Sequence, residues 1–265
     1  MSHRILAAAA ALAATATFAI PAAAQVFGGE MRSTPLPRFQ EPLCPGVAGL
    51  QVEPAEMVVG RIRDNAQSLG LRLGDPATCR ANVLVAVLDD GKAYVNDLRE
   101  RRPYIFEALN KDQRERLFDV SAPARSWLRV VTRTRDGMVV GKRETLDIPP
   151  QTSMAMAHSK IYQATRRDIL SAGVLIDAAA VPTVSLLQLA DYATMRALAG
   201  DSAEQIAMAG GTILTLFDDP GAAPPEMTEA DRIFLRTVYA TMPNNPAAAT
   251  LATAQRRIAE QVQAQ

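Results

Sequence analysis

A chain of 265 residues, 48% hydrophobic and 21% charged, is long enough to bury a full core as one domain, or at most two small ones. Its 28 Lys and Arg balance 28 Asp and Glu, so no net field drives polyanion binding or attachment to a charged membrane surface. Aromatic residues are sparse, at 5%, which argues against a surface built to stack sugars or bases.

The chain begins Met1-Ser2-His3-Arg4, continues nearly all apolar from Ile5 to Ile20, and then reads Pro21-Ala22-Ala23-Ala24-Gln25. A basic start, an apolar middle and a small-x-small end predict a secretory signal peptide over residues 1–24, cut between Ala24 and Gln25. Gln rather than Cys follows the cut, which is not the pattern of a lipoprotein. No later apolar run approaches the ~20 residues of a membrane-spanning helix. The expectation is a soluble periplasmic or secreted protein, with no membrane span in the mature chain and no nucleic-acid partner. An exported chain with two thiols usually pairs them, so Cys44 and Cys79 are expected as a disulfide, the alternative being two free buried thiols. A catalytic thiol would need a base, and the mature chain holds one imidazole, His158.

Residues 25–52, rich in Pro and Gly, predict an extended arm pinned by Cys44. Residues 53–246 predict a single α+β domain, helix-rich with a small mixed sheet. Ala55, Val58, Ile62, Ala66 and Leu69 recur at helical spacing, with Pro54 in the first turn and Gly70 as a stop. Asn82 to Leu88 is a short apolar run that reads as a buried strand. A helix from Lys92 to Arg101, a turn at Pro103 and a short helix from Lys111 to Phe118 follow. Trp127 to Thr134 has strand character, with Met138 to Val140 placed to pair back after a turn. Ile169 to Ile176 is a second apolar strand. Thr183 to Leu198 is a helix apolar all round and so buried. Ser202 with Gln205, and Thr228 with Asp231, have capping-box spacing. Ala247 to Gln265 predicts a last, peripheral helix.

The late part of the chain carries Gln188-Leu189-Ala190-Asp191-Tyr192 on the buried helix. Thr212 to Asp219 (TILTLFDD) comes next, and then Met227-Thr228-x-x-Asp231-x-x-Phe234-Leu235-x-x-x-Tyr239. Over roughly residues 165–245 this order resembles the C-terminal part of small exported zincin-like, metallopeptidase-like proteins of Gram-negative bacteria. The chain also resembles a set of exported bacterial proteins without assigned activity that carry Cys-Pro-Gly early, here Cys44-Pro45-Gly46, and Gln-Leu-Ala-Asp-Tyr late. The zincin resemblance implies a zincin-like scaffold, but a degenerate one. Zincin chemistry needs H-E-x-x-H, two imidazoles one turn apart with a glutamate base between them. In the matching helix Gln188 and Tyr192 stand at the two His positions and Leu189 at the Glu. With His158 as the mature chain's single imidazole, metalloprotease activity is expected to be absent.

Three groups of residues remain as candidates, each with a plainer alternative. Gln188, Asp191 and Tyr192 share helical spacing. A carboxylate there must be hydrogen-bonded or paired, so the group reads as a structural cluster orienting the helix, with an arginine as one available partner, or else as a remnant ligand cleft. Asp89 and Asp90 end the first strand, where paired carboxylates could do acid–base work, although Asp-Asp-Gly is also an ordinary turn. Met154, Met156 and His158 alternate, a soft set suited to Cu(I) if the segment is extended, or a loop with two methionines packed inward. Neither a nucleophile elbow nor a phosphate-binding loop occurs. The expected function is non-catalytic, with no catalytic residue and no cofactor: binding of a protein or small-molecule partner in the cell envelope. The alternatives are a hydrolase using Asp89, Asp90 and Asp191, and a copper binder through Met154, Met156 and His158.

Overall fold

The computed structural model describes residues 33–140, 162–205, 208 and 211–264. The expected leader, the start of the expected arm, and Met154, Met156 and His158 lie outside the described residues, so the copper reading has no geometry to stand on.

Four strands form one mixed sheet in the order β1-β2-β4-β3. β1 (Pro45–Ala48), β2 (Val83–Leu88) and β4 (Thr165–Asp177) run parallel, and β3 (Ala124–Thr134) pairs antiparallel with β4. β1 falls in the segment expected as arm. Its register, Pro45 opposite Val83 through Ala48 opposite Ala86, makes the end of the arm an edge of the sheet. Upstream, the Arg38 N–H donates to the Arg167 carbonyl at 3.1 Å and the Ile169 N–H to the Arg38 carbonyl at 2.9 Å. The arm thus occupies the space beside β4 that β2 is too short to fill. Leu36, Phe39 and Leu43 are buried along it.

Side-chain alternation sends alternate residues of the central strands to opposite faces. Val83, Val85, Ala172, Val174 and Ile176 face the larger core. α1 (Val52–Ser68) and α4 (Leu186–Ala199) cover that face and pack on each other, and Val58, Ile62 and Ala66 join Leu189, Ala190 and Ala193 in one core. Ala86 and Leu175 face a smaller core with Val95, Phe106, Leu117, Phe118 and Trp127. This face is closed by α2 (Gly91–Arg101), a 3-10 turn at Pro103–Phe106, and α3 (Lys111–Phe118). The expected α+β class with a small mixed sheet is what the chain adopts.

Several boundaries follow from local chemistry. α4 starts at Leu186 rather than Thr183, because Ser185 and Gln188 form a reciprocal capping box and Pro182 lies in the 3-10 turn Ala178–Thr183 before it. α5 (Glu229–Ala240) has the expected Thr228/Asp231 box. Ser202 does not cap a helix: it lies inside the 3-10 turn Gly200–Gln205 and its hydroxyl donates to the Ala199 carbonyl at 2.5 Å. Val139 does pair back on Arg133 in an isolated bridge. α6 (Ala247–Gln263), expected as peripheral, packs on α5 and buries Ala247, Thr250, Ala254 and Ile258. Arg38, 2% exposed, ties the arm to the end of α5. Its guanidinium donates to the carbonyls of Thr241 (2.6 Å) and Met242 (3.3 Å), and burial lowers its pKa to about 10.

Gly173 stands opposite Trp127 in the β3–β4 register, and the indole occupies the space where a side chain at 173 would go. A Cβ at Gly173 would sit 2.3–2.6 Å from three ring atoms. Strands on both sides hold β4, so the clash cannot be relieved by sliding. Gly173→Ala is expected to destabilise the fold by roughly 1–3 kcal/mol through overpacking. Urea unfolding followed by Trp127 emission measures this, and unchanged stability would mean that the indole is free to move.

Candidate functional site

The structure separates the three residues of the Gln188-Asp191-Tyr192 group. Gln188 is consumed at the start of α4: its side-chain oxygen accepts from the Ser185 N–H at 2.9 Å, and its amide donates to the Pro224 carbonyl at 2.8 Å. Asp191 turns toward α1. Tyr192, one residue and about 100° further round the helix, turns toward a groove on the other side. Leu189 is fully buried in the larger core.

Asp191 has no exposed surface, and four donors hold it. Arg61 binds in fork fashion, Nε to Oδ1 at 2.7 Å and Nη2 to Oδ2 at 2.8 Å. Asn65 Nδ2 donates to Oδ1 at 2.7 Å and the Met227 N–H to Oδ2 at 2.7 Å. Burial by itself would raise the carboxyl pKa. The Arg61, Met227 and Asn65 hydrogen bonds outweigh it and hold Asp191 ionised below the usual carboxylate range. The Asp191 pair in turn holds Arg61 above the ordinary arginine value. Asp191 is thereby a structural ion, joining α1, α4 and the strap before α5, with its lone pairs committed.

Asp89 and Asp90 are exposed. Asp90 caps α2 by accepting from the Ala93 N–H at 2.8 Å. Among the described residues neither Asp89 nor Asp90 shares a hydrogen-bond partner with Asp191, whose oxygens face Arg61, Asn65 and Met227. Among the described residues no group of three or more His, Cys, Asp or Glu side chains gathers as a metal site.

A groove of about 800 Å³ runs beside β3. Trp127, Leu128 and Val130 line it from the strand, and Tyr192, Leu214 and Phe217 from the far wall. The Tyr192 and Phe217 rings meet edge to face at 4.9 Å. Leu36 and Pro37 of the arm also line it. Most charges at the wall are neutralised locally. Arg116 pairs with Asp201 at 2.7 Å, and Arg125 donates to the carbonyls of Leu117 and Val120. Arg196 pairs with Glu204 and donates to the Tyr192 hydroxyl at 3.1 Å. Burial would lower Arg196, but Tyr192 and Glu204 raise it well above the arginine norm, while burial raises the Tyr192 phenol.

Arg167 differs. It lines the groove from β4 and is half-buried. Among the described residues its guanidinium makes no hydrogen bond, ion pair or ring contact. Burial alone shifts its pKa downward. The sequence reading missed it. The available signal was Arg167-x-Ile169 at the start of a strand: two residues apart, the cation and the core isoleucine share a face.

No family model matches the chain, and neither the curated proteins nor the solved structures compared with it gave a match.

Proposed function

We propose that this is an exported, non-catalytic binding protein that holds a small molecule in the groove beside β3. The observation that carries the reading is the groove itself. Its volume, about 800 Å³, and its walls of Trp127, Leu128, Val130, Tyr192 and Phe217 suit burial of an apolar ligand. The carboxylate residues that could have served a hydrolase support the same reading by their commitments: Asp191 is saturated by four donors and Asp90 is a helix cap. Export is supported by the leader-like start and by the Cys44–Cys79 disulfide. Any kinship with zincins would on this reading be one of scaffold only, since Gln188, Leu189 and Tyr192 serve as cap, core and groove wall.

The test exploits the chain's single tryptophan, Trp127, which lies on the groove wall. The leader-free protein is incubated with an organic extract of bacterial envelopes, desalted, and examined by native mass spectrometry and intrinsic fluorescence. The expected result is one small-molecule adduct per chain together with a shift in Trp127 emission. A hydrolytic turnover activity abolished by Asp191→Asn in a folded protein would overturn the reading, as would the absence of any adduct.

A further inference from the structure

We infer that the groove takes a small molecule with one carboxylate on an apolar body, and that Arg167 anchors the carboxylate. The inference rests on the groove being the ligand site and goes on to name the ligand's class. An arginine in a sheltered position without a partner is unfavourable in the free protein, because desolvation weakens its hydration and nothing replaces it. The other arginines of the wall have acids or carbonyls beside them: Arg116 with Asp201, Arg125 with Leu117 and Val120, Arg196 with Glu204. Among the described residues no acceptor meets the planar fork of donors of Arg167, which matches a carboxylate in two parallel hydrogen bonds.

The surroundings limit the charge and shape of the ligand. Asp112 and Asp218 also line the groove, both exposed and, among the described residues, neither in an ion pair, so a dianion or a polyphosphate would meet repulsion as well as one guanidinium. Leu128 and Val130 are on the same stretch of groove as Arg167, and the Tyr192–Phe217 pair stands on the far wall. A single negative head beside Arg167 with an aliphatic or aromatic tail along these side chains satisfies both features. A fully apolar ligand would leave the guanidinium unpaired.

Decanoate and decanol serve as matched probes, alike in chain length and differing in the charged head. Binding to the leader-free protein is read by Trp127 emission and by calorimetry, in the wild type, Arg167→Gln and Arg167→Lys. The expected result is saturable 1:1 binding of decanoate, about tenfold or more tighter than decanol, consistent with a charge-assisted hydrogen-bond pair. Arg167→Gln should erase that preference and Arg167→Lys should keep part of it. A second reading separates anchoring from architecture: without ligand, Arg167→Gln should melt at or above the wild-type temperature, because it removes an unpaired desolvated charge. Equal binding of acid and alcohol, undiminished binding of decanoate by Arg167→Gln, or a lowered melting temperature in that variant would each overturn the anchor and leave the groove as an apolar ligand site. Failure of both probes to bind overturns the carboxylate class, and the extract experiment then judges the groove by itself.

Discussion

Replacing Asp191 by alanine is expected to cost about 3–5 kcal/mol of unfolding free energy at neutral pH, the range for breaking a buried ion pair from one side. The substitution removes the acceptor of four hydrogen bonds at once. It leaves the Arg61 guanidinium, whose side chain is 26% exposed, without its main counter-charge and the Met227 N–H without its acceptor, and it reduces the buried Asn65 amide to its bond with Thr194 Oγ1 at 3.2 Å. Asp191→Asn should be milder, since one oxygen is kept, but its NH₂ group must face Arg61 together with either Asn65 or Met227 and cannot accept from them. The pH dependence has a definite sign. The folded-state pKa of Asp191 lies below its unfolded value, so the charge contributes fully above about pH 4 and is lost as the pH falls through the folded value. Urea unfolding of wild type and Asp191→Ala at pH 7 and again near pH 3 should therefore show a gap that narrows in acid. A gap of the same size at both pH values would mean that the carboxylate charge is not what stabilises the α1–α4 junction.

The same residue shows what the sequence could and could not disclose. That a carboxylate inside an apolar helix must be paired was legible, and an arginine was the natural partner. That the partner is Arg61, far earlier in the chain, was not, because only tertiary packing of α1 on α4 sets it. Elements fixed by local chemistry were read closely: Lys111–Phe118, the Val83–Leu88 strand and the Thr228/Asp231 box all depend on residues within one turn or one pleat. Grouping Gln188, Asp191 and Tyr192 as one face failed for a geometric reason. Spacing of three and four places side chains on one half of a helix, but Gln188 sits at the third helical position, where the N-cap claims it. The rotation between Asp191 and Tyr192 then sends one toward α1 and the other toward the groove. The groove had no sequence signal of its own. It is assembled from β3, the segment around α3, the end of α4 and the arm, which are distant in sequence.

Removing the Cys44–Cys79 disulfide is expected to destabilise the protein by about 4 kcal/mol without changing its fold. The bridge joins residues 35 apart and encloses β1 and α1, so reduction frees a loop of that length in the unfolded chain. The native state should survive because hydrogen bonds independent of sulfur hold the same junction. The Cys44 N–H donates to Asn82 Oδ1 at 2.8 Å, and the Cys44 carbonyl accepts from the N–H groups of Asn82 (2.9 Å) and Val83 (3.2 Å). Gly74 packs against both sulfurs so closely that a Cβ there would overlap them, so Cys→Ser or Cys→Ala leaves a site already walled in. The double variant Cys44→Ala/Cys79→Ala should show a lower urea midpoint with a steeper m-value, since the untethered unfolded state exposes more surface. Its ligand-free Trp127 emission should match the wild type, because the bridge lies at the β1 edge and Trp127 on β3 at the opposite edge of the sheet. An unchanged midpoint would show that the enclosed loop is already restricted when unfolded. The thiol state also bears on the proposed address: protein recovered from its own envelope fraction under alkylating conditions should carry no free thiol. Two alkylated cysteines in that material would remove the ground for placing the chain in an oxidising compartment.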